Sequence, residues 1–124
     1  MPTPRAKLGT FGEELASRFL QDHGYQIVIT NYRCAYGEVD IVALEGEDLV
    51  FVEVRTRRDG IFGTPEESLS ERKLQRLLAT CQNYVQQRGA EDTPWRVDLV
   101  SVYLDEGRSS RLQRINHLRH ILQL

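Results

Sequence analysis

The chain has 124 residues and a formal net charge of -2, a length that fits one core of the commonest size, so residues 1–124 are read as a single domain. The mild acidity excludes a protein that coats nucleic acid by bulk charge. No apolar run approaches the roughly 20 residues that span a bilayer, and residues 1–7 lack the apolar core of a signal peptide, so a cytoplasmic protein with no membrane partner is expected.

Phe11, Leu15, Ala16, Phe19 and Leu20 recur at helical spacing from about Thr10 to His23, and Gly24 stands where a C-terminal cap belongs. Tyr25 to Tyr32 is rich in β-branched and aromatic residues and reads as a first strand. Cys34 lies just beyond it; with Cys81 it makes two cysteines, too few for a disulfide framework or a zinc site, and both are read as reduced thiols. Two strands follow, about Gly37 to Leu44 and Leu49 to Thr56, joined by the polar turn Glu45-Gly46-Glu47-Asp48 as a hairpin. Apolar residues occupy both faces of that hairpin, which predicts central, covered strands. Residues 57–67, with Gly60, Gly63 and Pro65, read as a loop. Ser68 and Glu71 have capping-box spacing for a second helix whose stripe is Leu74, Leu77, Leu78, Cys81, Tyr84 and Val85. A fourth strand is predicted from about Arg96 to Leu104. A closing helix over Leu112 to Leu124 is predicted from Leu112, Ile115, Leu118 and Leu122, with His117 and His120 on its polar face. The sum is an α/β fold, a mixed sheet flanked by helices.

Hairpin arithmetic gives the sharpest expectation. A two-residue loop at Gly46-Glu47 pairs residues whose numbers sum to 93, which sets Asp40 opposite Glu53 and Glu38 opposite Arg55, all on one face. Two carboxylates at that separation repel unless a proton or a cation lies between them, and a hard divalent cation takes oxygen ligands in this way. The alternatives are an Asp40 paired with an arginine, a Glu53 that meets Arg57, and a Glu38 that is either a ligand or an ion-pair partner of Arg55. The other basic residues are mostly arginine and cluster: Arg55, Arg57 and Arg58 follow a strand, and Arg108, Arg111, Arg114 and Arg119 fall near the C-terminus. Arginine's planar fork suits phosphate.

The stretch Gly37-Glu38-Val39-Asp40-Ile41-Val42-Ala43, followed by Leu49-Val50-Phe51-Val52-Glu53-Val54-Arg55-Thr56-Arg57, resembles the core of the bacterial YraN-type proteins, relatives of the archaeal Holliday-junction resolvases within the PD-(D/E)XK nuclease superfamily. Gly12-Glu13, Asn31-Tyr32-Arg33, Lys73, Arg96-Val97-Asp98 and Ile115-Asn116-His117-Leu118 extend the resemblance over nearly the whole chain. It implies a restriction-endonuclease-like fold and phosphodiester cleavage with Mg2+ or Mn2+. It makes Asp40 and Glu53 metal ligands, with Glu13 the helix-borne acid that completes the metal shell. Arg55 stands where the superfamily has a catalytic lysine; guanidinium stays charged and is a poor base but holds phosphate. Lys73, on the following helix, is the candidate migrated lysine. Arg55, Arg57 and Arg58 are the candidate nucleic-acid contacts.

The expected function is therefore a metal-dependent endonuclease-like protein acting on branched or distorted DNA, with Asp40, Glu53, Arg55 and Lys73 as its catalytic set. The resolvase resemblance suggests a homodimer. The alternatives are a non-catalytic module of the same fold that binds nucleic acid or a recombination partner, and a structural adaptor using the C-terminal helix as its interface.

Overall fold

The computed structural model describes residues 4–58, 69–105 and 111–122. Helix α1 (Pro4–Asp22) is followed by strands β1 (Gln26–Cys34), β2 (Gly37–Glu45) and β3 (Asp48–Arg58), helix α2 (Glu71–Gln87), and strands β4 (Trp95–Leu104) and β5 (Leu112–Leu118). The strands lie in one sheet in chain order, β1-β2-β3-β4-β5. Every neighbour pair is antiparallel except β3–β4, which runs parallel because α2 carries the chain back across the sheet. The chain is thus an α/β fold, a mixed sheet flanked by two helices, consistent with the restriction-endonuclease-like architecture.

Each helix covers one face. Ala16 and Leu20 of α1 pack with Ile41, Ala43, Val50, Val52, Val100 and Val102, while Leu77, Cys81, Tyr84 and Val85 of α2 pack with Val39, Val42, Phe51 and Val97. Phe51 is fully buried and meets the rings of Tyr84 and Trp95 edge-on, with centroids 5.5 and 5.4 Å away. Trp95 is accordingly an anchor at the mouth of β4. Truncating Phe51 to alanine would cost about 3–5 kcal/mol.

Helix α1 ends where the sequence predicts. Gly24 adopts a φ of +89°, and the N–H of Tyr25 reaches back to the carbonyl of Leu20 at 2.9 Å, a left-handed cap of Schellman type. Phe11, assigned to the apolar stripe, is 38% exposed; the buried side of the first turns is Gly12 instead. Helix α2 is capped by Ser70, whose hydroxyl accepts from the N–H of Lys73 at 3.1 Å. The predicted cap Ser68, like the loop glycines Gly60 and Gly63, lies outside the described residues.

The C-terminal segment corrects the sequence reading: residues 112–118 form a strand, β5, antiparallel to β4. Strand β4 is buried at every position after Trp95, and without β5 its outer N–H and C=O groups would form an unpaired edge. The i, i+3 spacing of Leu112, Ile115 and Leu118 mimics a helix, but the inward pair is Ile115 and His117, two apart. His117 is not on a polar helical face; its Nε2 lies 2.8 Å from the buried carboxylate of Asp98.

Candidate metal centre

The predicted hairpin register holds. Ile41–Val52, Val42–Phe51 and Glu45–Asp48 are Cα partners, each summing to 93. The ladder then stops, one residue short of Asp40 and Glu53. From there β2 departs from simple alternation. Val39 packs on the α2 side and Ile41 on the α1 side although they are two residues apart, so the strand changes face at Asp40. On the neighbouring strand Asn31, between the partners Thr30–Ile41 and Tyr32–Val39, has a φ of +55°. Asn31 and Asp40 are therefore the kink of two paired strands, and the carboxylate of Asp40 occupies the fork opened between β2 and β3. There it accepts a hydrogen bond from the N–H of Val54 at 2.7 Å.

Three acids converge on this fork. Asp40 and Glu53 are 8% and 6% exposed, and their carboxyls lie close enough to share a proton. Burial, the hydrogen bond to Glu53 and its charge push Asp40 up to about 9, against the opposing Val54 N–H. From the α1 side Glu13 comes up to Asn31 and Asp40, and burial raises its carboxyl above the usual range against the polar contacts with those two side chains, with the charges of Glu38 and Glu53 adding to the rise. Its neighbour Glu14 is exposed. Gly12 makes this approach possible: a Cβ built there would fall 1.8 Å from Oγ1 of Thr56 on β3. Among the described residues no group of three such side chains is already arranged as a metal cage; the acids associate as two linked pairs, Glu13 with Asp40 and Asp40 with Glu53.

Lys73 comes from α2 to this cluster, with Nζ 3.3 Å from Glu53 Oε2. Glu53 thus pairs with Lys73, and Arg57 is not its partner. Glu38 pairs with Arg33 on β1 at 2.9 Å, which replaces the expected Arg55 contact. Arg55 lies on the same β3 face as Glu53, in register with Ser101 of β4. Its Nε and the hydroxyl of Ser101 are both buried without a hydrogen-bond partner. A cleft of about 450 Å³ opens beside the acids, between α2 and the start of β2, lined by Glu38, Glu53, Arg72, Lys73 and Arg76. A second, of about 410 Å³, opens on the α1 side at Glu13 and Asn31.

The comparisons bear on the same stretch. Residues 12–102 match the model of the uncharacterised protein family UPF0102. The chain belongs to this family. It is 47% identical to the UPF0102 protein of Moorella thermoacetica over 105 residues, 85% of this chain and 88% of the relative. Identity to the UPF0102 protein of Renibacterium salmoninarum is 40% over 114 residues, 92% and 97% of the two chains. The UPF0102 match spans α1 to β4, every element that contributes to the carboxylate cluster.

Within this UPF0102 chain, Asp40, Glu53, Glu13 and Lys73 are brought together, and Arg55 lines the same strand face. Arg57 follows on that face with its backbone in register with Tyr103; the side chain of Arg58 lies outside the described residues. In the sequence Asn31 stands out only as part of the family resemblance, with no role at the site, and Ser101, Arg72 and Arg76 are not singled out at all. An Asn inside a β-branched strand and a Ser inside the apolar run Leu99-Val100-Ser101-Val102 were the available signals. No helix among the described residues is long and apolar enough to cross a membrane.

Proposed function

We propose that the chain is a metal-dependent endonuclease-like protein of the PD-(D/E)XK type, related to the archaeal Holliday-junction resolvases and hydrolysing phosphodiesters in branched or distorted DNA. The observation that carries this reading is the buried Asp40–Glu53 carboxyl pair in the β2–β3 fork, joined by Glu13 from one helix and Lys73 from the other. All three acids supply hard oxygen donors, the class that Mg2+ and Mn2+ take, and their mutual repulsion is relieved by a cation in place of a shared proton. Glu13, Asp40 and Glu53 would hold the ion, which supplies Lewis-acid stabilisation of charge developing at phosphorus. Glu53 keeps the Lys73 ammonium at the site, where it can donate to a phosphate oxygen. Arg55 presents the fork that suits a phosphate, and Arg57 follows it on the same face of β3. Contacts of this kind position a backbone without reading bases, which fits recognition of shape. Cleavage of paired strands at a junction calls for two copies related by a two-fold axis.

The presence of Arg55 where the superfamily has lysine favours a second reading, the same site binding nucleic acid without turnover. Calorimetry with MgCl2 and MnCl2 tests the first. Binding by the wild type that is abolished in both Asp40→Asn and Glu53→Gln is the expected outcome, followed by cleavage of a branched duplex. Metal binding without cleavage selects the second reading, and a wild type that binds neither ion sinks the metal centre.

A further inference from the structure

We infer that the cleft beside the carboxylates is a subsite for one unpaired nucleotide strand, gripped through its phosphates by Arg72 and Arg76; this rests on the phosphodiester reading above. The cleft is lined by Glu38 and Glu53, which are ion-paired with Arg33 and Lys73, and by Arg72 and Arg76. Its uncompensated charge is therefore positive and lies at the two arginines. A phosphodiester chain supplies the matching negative charge, and its phosphates would reach the arginines beside the carboxylate cluster. Arg72 and Arg76 are exposed, four apart on one face of α2, and neither has an acidic partner among the described residues. Side chains so spaced are neighbours on a helix surface, so the two guanidinium groups act as a pair along the strand. Lys73, by contrast, is committed to Glu53. The cleft's volume of about 450 Å³ is at the small end of ligand pockets and admits a nucleotide, not a double helix. The strand entering it must therefore be separated from its complement, as at a flap, a gap or a branch point.

Neither arginine is buried or part of the carboxylate cluster, so Arg72→Gln/Arg76→Gln should fold and melt like the wild type. Binding of a labelled short oligothymidylate and of a blunt duplex, measured by anisotropy in CaCl2 over a salt series, tests the inference. The expected results are tighter binding of the single strand by the wild type, and a Kd raised about tenfold or more in the double variant. The salt slope should flatten by about 0.7 per lost phosphate contact. Arg88→Gln, at the far end of α2, should change neither. Wild-type binding that is unaltered in the double variant overturns this inference alone. Equal binding of strand and duplex, both weakened, overturns the commitment to an unpaired strand. A wild type that binds no DNA overturns both this inference and the phosphodiester reading.

Discussion

Asp40 carries a large electrostatic cost, a carboxyl buried beside a second acid. Its carboxyl is neutral in both folded and unfolded chains well below the usual 3.8. Between that value and about 9 the unfolded chain releases the proton while the folded chain keeps it, so this residue's contribution to stability falls as pH rises through that window. Asp40→Asn mimics the protonated acid: it can accept from Val54 N–H and donate to Glu53. In EDTA the variant should be more stable than wild type at pH 8, by about 2 kcal/mol, with no difference at pH 4. Denaturant midpoints across that range would read it, and a parallel pH dependence in both proteins would remove Asp40 as its source. The nearness of Asp40 and Glu53 was legible in the sequence because a two-residue turn sets the register as far as Ile41–Val52, one step away. The face switch at Asn31 and Asp40 was not, because a left-handed asparagine in a strand leaves no periodic trace. For that reason Glu38 was assigned to Arg55 when the kinked edge delivers it to Arg33.

At the scale of elements, α1 serves the site through its contact with β3 at Gly12. A methyl group there would collide with Thr56 and push the helix outward, taking Glu13 from Asp40. Gly12→Ala should cost about 1–3 kcal/mol, the usual range for overpacking, although alanine is the better helix former. It should also weaken Mn2+ binding, with partial recovery in Gly12→Ala/Thr56→Ala. Unchanged affinity in the single variant would mean that Glu13 is not a ligand. The helices and the first four strands were readable from apolar spacing and turn residues. Strand β5 was not, because its second inward side chain is a histidine, which counts as polar in any periodicity although Asp98 satisfies it inside the fold. With that helix gone, the adaptor reading loses the interface it was built on.

Across the whole molecule, a second charged cluster lies on β4, where Arg96 and Asp98 are in register with Val50 and Val52 of β3. At the fork, acids face acids. In the second cluster Arg96 bonds Asp98 at 3.1 Å, Glu45 at 3.0 Å and the Tyr25 hydroxyl at 2.9 Å, while Asp98 also takes the His117 ring and the His120 N–H. Burial would raise Asp98, but the hydrogen bonds from His117 and Arg96 and the Arg96 charge hold it below the usual carboxylate range. Its contribution is present above the ordinary value near 4 and is lost as pH falls through the depressed folded value. Asp98→Ala strands buried Arg96 and should cost about 3–5 kcal/mol at pH 7, with the gap to wild type narrowing in acid. Thermal melts at pH 7 and pH 3 would check it, and a variant within 1 kcal/mol of wild type would show the network to be dispensable.

The parallel joint between β3 and β4 has a kinetic meaning. Among the described strands it is the pairing that no short turn can close, since α2 lies between the two, whereas β1-β2-β3 and β4-β5 are local meanders with low closure entropy. The carboxylates of Asp40 and Glu53 thus belong to one local hairpin, whereas their counter-charge, Lys73, comes from beyond it and depends on the crossover being docked.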